Sequence, residues 1–214
     1  MIQLTKLNKP QVLVDNELNW TKTIMEYVNK GEKILDSHKN KYSHKDVKTQ
    51  VKLETNEKCV YCESKVTHQY PGDIEHIIPK AVYPRLTVNW SNLTFSCYWC
   101  NNHKRNYVGK KEEKLINPFI DDIPKHLHFF GPLIIHINGS KRGEITWKKI
   151  ELNRQELIDR RIEKIKELQN LIDKYEREDV LALKQILLNE IKEFSDFKNE
   201  FSYACNCYLN DKGI

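Results

Sequence analysis

The chain has 214 residues, 30% of them charged, which is enough for one well-packed core or a core with an appendage. No apolar run approaches membrane-spanning length and no tract is of low complexity, so the composition reads as a soluble, cytoplasmic protein rather than a membrane or fibrous one. The net charge of +5 is modest but uneven: residues 59–111 carry 7 Lys/Arg against 3 Asp/Glu, and residues 151–214 carry 11 against 14. A phosphate-bearing partner is therefore expected on the middle of the chain and not on its C-terminal third.

Residues 1–58 read as an N-terminal helical segment. Residues 1–15 look irregular, with Pro10 as a breaker. Trp20, Ile24, Tyr27 and Val28 then recur at helical spacing, and Gly31 is placed to end that helix. Ser43 and Asp46 resemble a loose capping box for a Lys-rich helix through Val47 and Val51 toward Glu54.

Residues 59–111 carry the chemistry. Cys59 and Cys62 in CVYC, with Cys97 and Cys100 in CYWC, form two C-x-x-C knuckles. Four thiolates in this arrangement satisfy the tetrahedral preference of a structural zinc ion. Disulfides would need an oxidising compartment, and the opening MIQLTKLNKP is too polar for a signal peptide. A short hairpin is expected near 66–78, turning on Pro71-Gly72. A further helix is expected to start at Asn89–Asn92 or within the second knuckle around Asn101.

Between the knuckles, DIEHIIPK (73–80) offers a base and hard oxygen ligands. His76 suits a general base because imidazole titrates near neutrality. Glu75 suits Mg²⁺ or Mn²⁺, and Asp73, two residues earlier, shares its strand face and is an outer or alternative ligand. His76 and Glu75 converge only where the strand ends, which Pro79 supports. Asn101, directly after the second knuckle, offers an amide oxygen as a second metal ligand. Asn92 is expected to pin the backbone around His76 through two amide hydrogen bonds. His103, Lys104 and Arg105 are candidates for phosphate binding.

Residues 112–150 mix prolines, glycines and apolar runs such as Leu133–Ile137, and read as short strands with a turn near Asn138-Gly139. His126, His128 and His136 there are expected to be structural, and His38, His44 and His68 solvent-facing. Residues 151–214 read as a helical hairpin. Ile158, Ile162, Ile165, Ile172 and Tyr175 mark one stripe; Val180, Leu183, Leu187, Ile191, Phe194 and Phe201 mark the other. Both stripes are expected to be core. Cys205 and Cys207 have no matching pair and read as buried small residues.

Glu75-His76, Asn92 and Asn101 between two zinc knuckles resemble the HNH endonucleases, a branch of the ββα-metal nucleases. The resemblance implies an α+β fold with a zinc-stapled ββα core, His76 as general base, Asn92 as the middle structural residue, and Glu75 with Asn101 on the catalytic metal. Many relatives have Asp where Glu75 stands, which leaves open whether Glu75 or Asp73 holds the ion. A narrower resemblance is to HNH proteins of Septu and retron anti-phage systems. It rests on KLNKP, CVYCE, IEHIIPK, YPRLT, WSNL, CYWCNNHK, INPF and ELNRQELIDRR. It implies DNA degradation in phage defence beside an ABC/SMC-like ATPase partner. A stand-alone restriction-type enzyme and a zinc-stabilised nucleic-acid-binding module without catalysis are the competing readings.

Overall fold

The computed structural model describes residues 1–67 and 70–214; the expectation for His68 lies outside them. The fold is α+β, with helices α1 (Gln11–Lys30), α2 (Asp36–Lys39), α3 (Lys45–Thr55), α4 (Tyr98–Lys104), α5 (Lys141–Lys149), α6 (Gln155–Arg177), α7 (Leu181–Glu193) and α8 (Ser202–Lys212). Strands β1 (Asp73–His76) and β2 (Leu93–Ser96) form one antiparallel pair, and β3 (Leu127–Phe130) and β4 (Leu133–His136) another.

Helix α1 starts at Gln11, earlier than its apolar spacing suggests. Pro10 is its cap and not a breaker, because a missing N–H costs nothing at a helix start. Gly31 ends it in the left-handed conformation, φ 68°, as expected. Leu13 and Ile24 are its buried residues, while Val28 is partly exposed. Helix α3 is capped by His44, not Ser43: Asp46 N–H donates to His44 Nδ1 over 3.3 Å. His44 caps the helix with a side chain that remains 39% exposed. Val47 and Val51 are fully buried.

The hairpin expected on Pro71-Gly72 is instead the β1–β2 pair, joined by residues 77–92, with His76 opposite Leu93 and Asp73 opposite Ser96. Gly72 serves a close approach: a Cβ there would lie 2.0 Å from Phe95 Cζ, and its φ is +68°. Helix α4 follows β2 at once and begins at Tyr98, three residues before Asn101, because Cys97 is its cap. β1, β2 and α4 form the ββα unit.

Further along, the β3–β4 turn falls at Gly131-Pro132, and Asn138-Gly139 leads into α5, a helix the turn-rich sequence conceals. Ser140 caps α5 by accepting from Gly143 N–H over 3.0 Å. The expected second C-terminal helix is two. α7 stops at Glu193, and α8 restarts after Phe201 in the left-handed region, φ 55°.

Buried residues from the N-terminal helices, both knuckles, β2, β3 and the start of α8 form one continuous cluster. A smaller one joins Leu168, Ile172, Ile191, Cys205 and Leu209. The buried line of α6 is Leu157, Arg161, Leu168 and Ile172, whereas Ile158, Ile162 and Ile165 are only half-buried. On α7 only Ile191 is buried, because α7 packs chiefly on α6 and leaves Leu181, Leu183 and Ile186 outward. Among the described residues, no helix is long and apolar enough to cross a membrane.

Candidate active site and metal centre

The four knuckle sulfurs lie within 4.8 Å of one another. Cys62 Sγ and Cys97 Sγ are 3.9 Å apart. Four sulfurs around zinc at about 2.3 Å stand about 3.8 Å apart, so the set fits a tetrahedral ion. The first knuckle closes through Cys59 N–H to Ser64 O and Glu63 N–H to Cys59 O, both 2.9 Å, with Glu63 at φ 65°. The second closes through Cys100 N–H to Cys97 Sγ, 3.4 Å. Burial pushes the Cys59 and Cys100 thiols well up, while Cys62 is held well down by hydrogen bonds from its cysteine neighbours. A metal cation in the clamp would take its sulfur ligands as thiolates.

Two arginines from the far end of the chain balance that charge. Arg154 reaches Cys100 Sγ at 3.6 Å and Cys97 Sγ at 4.0 Å. Arg161 is 1% exposed, beside the rings of Phe129 and Phe201. Burial lowers its pKa to about 10 against the pull of Cys62 and Glu63. The first knuckle is also tied to α8: Lys58 Nζ donates to the carbonyls of Phe197 and Asn199, and Glu63 Oε2 accepts from Ser202 Oγ at 3.0 Å and Tyr203 N–H at 3.2 Å. Cys205 and Cys207 are buried free thiols, as their sequence context suggests.

His76 ends β1, 6% exposed, with Nε2 2.8 Å from Thr87 O. A carbonyl only accepts, so a neutral imidazole carries its proton on Nε2 and keeps its lone pair on Nδ1. Burial lowers the His76 pKa to about 3, which keeps the ring neutral. Tyr42 covers it edge-on at 4.6 Å between ring centroids, and Lys80 Nζ sits 3.7 Å over the other ring. Burial and Lys39 lower the Lys80 pKa to about 8.

Asn92 pins the loop at Ile78, two residues beyond His76. Its Oδ1 accepts from Ile78 N–H at 2.8 Å, and its Nδ2 donates to Ile78 O at 2.9 Å. Asn101 Nδ2 donates to Asp73 Oδ2 at 3.1 Å, and Tyr70 OH donates to Asp73 Oδ1. That hydrogen bond raises the Tyr70 pKa to about 12. Asp73 and Asn101 line an open groove with Tyr42, Lys48 and Arg105. Glu75 is not with them. It is 4% exposed and held by Lys104 Nζ at 2.6 Å and Tyr61 OH at 3.2 Å. Burial raises its pKa while Lys104 and Tyr61 pull it back.

Lys104 is therefore not a free phosphate ligand. It lies one helical turn from Asn101, pointing inward, and also donates to His76 O at 2.7 Å. His103 pairs with Glu151 at 3.1 Å, and Arg105 alone of the three faces the groove. Tyr61, Arg154 and Arg161 lie within CVYCE and ELNRQELIDRR, but nothing in those stretches assigns them a contact, and Tyr42 and Tyr70 lie outside the quoted motifs.

Hard oxygen donors at Asp73 and Asn101, a neutral imidazole at the other end of β1 and a sulfur clamp on the helix that carries Asn101 define a class. Residues 59–107 match the HNH endonuclease family model. The chain is similar, more particularly, to Septu protein PtuB of Bacillus thuringiensis, 34% identical over 131 residues, covering 61% of this chain and 47% of that protein. It is likewise similar to Septu protein PtuB of Bacillus mycoides (strain KBAB4), 33% identical over 189 residues, covering 74% of this chain and 63% of that protein. The chain thus spans less than two thirds of the length of these relatives. Both resemblances drawn from the sequence stand.

Proposed function

We propose that this protein is a metal-dependent endonuclease that hydrolyses DNA phosphodiester bonds, acting in anti-phage defence with an ATPase partner. The observation that carries the reading is the 2.8 Å contact between His76 Nε2 and Thr87 O. Thr87 O fixes the proton on Nε2, which leaves Nδ1 as the one basic atom at the end of β1. His76 is the general base that takes the proton of the attacking water. Asn92 holds the loop at Ile78, so the imidazole keeps its position as charge develops on it. Lys104 fixes His76 O from the other side.

Asp73 and Asn101 are the oxygen donors open to a divalent cation, and Glu75, engaged by Lys104, is the third candidate. Mg²⁺ or Mn²⁺ suits such donors and supplies stabilisation of negative charge on the phosphate oxygens. Zinc in the cysteine clamp would have no open position, so it serves the fold. Lys48 and Arg105 border the groove and hold the flanking phosphates.

The partner reading rests on the Septu names of the relatives and on the outward apolar residues of α7. An acidic C-terminal third disfavours DNA there and leaves α6 and α7 free to dock a protein. The test of the whole reading is a cleavage assay on purified protein. Hydrolysis is expected only with added Mg²⁺ or Mn²⁺, and His76→Ala is expected to lower the rate by about 10²–10⁴-fold with folding intact. Cleavage at the parent rate by His76→Ala would remove the mechanism.

A further inference from the structure

Helix α4 presents two large aromatic side chains to solvent just ahead of Asn101. Tyr98 is 52% exposed and Trp99 is 58% exposed, with ring centroids 5.6 Å apart and planes at 78°. Leaving that much aromatic surface in water forgoes stabilisation that burial would supply. The zinc clamp does not explain it, since Cys97 and Cys100 alone make the knuckle. Helical spacing separates the two rings. Tyr98 lies on the side of Asn101, Asn102 and Arg105, facing the catalytic groove. Trp99 leans toward His103, 6.4 Å between ring centroids, over a second groove that runs past the clamp. The two grooves share Tyr70 and Tyr98 and are thus continuous.

Charge sorts what each half can hold. Lys48 and Arg105 at the catalytic end have no ion-pair partner among the described residues. The second groove is of mixed sign: His103 pairs with Glu151 and Arg160 with Glu163 and Glu200, and Lys65, Arg154 and Glu156 line it as well. The first half suits a phosphate. The second, with carboxylates set among its cations, offers a bare phosphate no clear net attraction and presents an aromatic face with polar edges, which is what a nucleobase needs.

We propose that Tyr98 and Trp99 form a stacking platform for an unpaired base of the DNA strand, next to the phosphate that is cut. The proposal deepens the nuclease reading and rests on it. Its consequence is a preference for single-stranded or locally opened DNA, because a base inside a duplex cannot reach Trp99.

The test measures binding, not cleavage, using zinc-loaded His76→Ala protein and a fluorescein-labelled single-stranded oligodeoxynucleotide. Stacking by one base is worth about 1–3 kcal/mol, so adding Trp99→Ala is expected to weaken binding by roughly 5–150-fold. Trp99→Phe keeps a ring and is expected to restore most of it. Binding of the blunt duplex is expected to change little with either variant. Lys48→Ala with Arg105→Ala is expected to weaken both DNA forms and to reduce the salt dependence. Single-strand binding unchanged by Trp99→Ala but weakened by the Lys48 and Arg105 changes would overturn the platform and leave the nuclease reading standing. Failure of the parent protein to bind any DNA, or tighter binding of an RNA strand of the same sequence, would overturn both the platform and its assignment to DNA.

Discussion

The sulfur clamp and the oxygen groove share the same short helix, α4, and solve opposite problems. The clamp is largely buried and self-complete: four sulfurs within 4.8 Å of one another, with Arg154 beside two of them. The groove is open and unfinished: Asp73 and Asn101 meet at its edge, with Lys48 and Arg105 nearby and in no ion pair among the described residues. Their proximity teaches how a small sheet supports precise chemistry. A two-stranded pair of four-residue strands is marginal alone, so the rigidity of the groove is borrowed from the clamp.

That dependence breaks most completely at the clamp. Cys97→Ser is expected to abolish tight zinc binding and unfold the ββα unit, since a structural zinc site contributes on the order of 10 kcal/mol. Metal analysis with a circular-dichroism melt checks it, and a folded, zinc-free variant would show the groove to be self-supporting. The next effect probes the clamp's outer brace. Lys58→Met leaves the Phe197 and Asn199 carbonyls without their donor, while Glu63 keeps its bonds to Met1, Ser202 and Tyr203, and is expected to cost about 1–3 kcal/mol in a urea titration, with zinc retained.

Asp73→Ala, at the open groove, should leave stability nearly untouched, whereas Glu75→Gln takes the carboxylate from the buried Lys104 ammonium and lowers stability. Asp73→Ala is expected to raise the Mg²⁺ concentration for half-maximal cleavage by about 10–100-fold, a size typical for lost support of a metal site. Glu75→Gln sharpens the point. If Asp73 is the working donor, its effect on Mg²⁺ demand is the smaller of the two. The reverse order would move the ion to Glu75. The smallest expected effect is on acid stability. The folded His76 pKa is about 3 against an unfolded 6.5, so the unfolded chain binds the extra proton between those values. Stability is full above about pH 6.5 and falls as pH drops toward 3. On going from pH 6.5 to 5 the His76 share is about 2 kcal/mol, which His76→Gln should remove from paired denaturation curves.

The parts legible in the sequence are those where chemistry forces a spacing. Two C-x-x-C knuckles can serve one ion only when adjacent, and the sulfurs are adjacent. The α+β class and the HNH resemblance followed from the same stretch. What stayed hidden depends on contacts across the chain. Nothing local marks Lys104 as inward or Glu75 as paired with it; both follow from how α4 lies against β1. Gly72 read as a turn because its contact with Phe95 is a matter of packing. The break after α7 escaped notice because Phe194 and Phe201 continue an apolar rhythm through backbone that is not helical. Nothing local marks Arg154 and Arg161 as inward either, because the cysteines they face lie far away in sequence.

The bond from Lys58 to the carbonyls of Phe197 and Asn199 spans about two thirds of the described chain. During synthesis the knuckles leave the ribosome first, and α6 and α8 follow at about 5–20 residues per second. For several seconds the nascent chain holds its cysteines without Arg154 and Arg161 and without a lid over the first knuckle. A centre braced by helices made after it reaches its rigid form only when translation has passed them, and the timing is written into the length of the chain between Lys58 and Ser202.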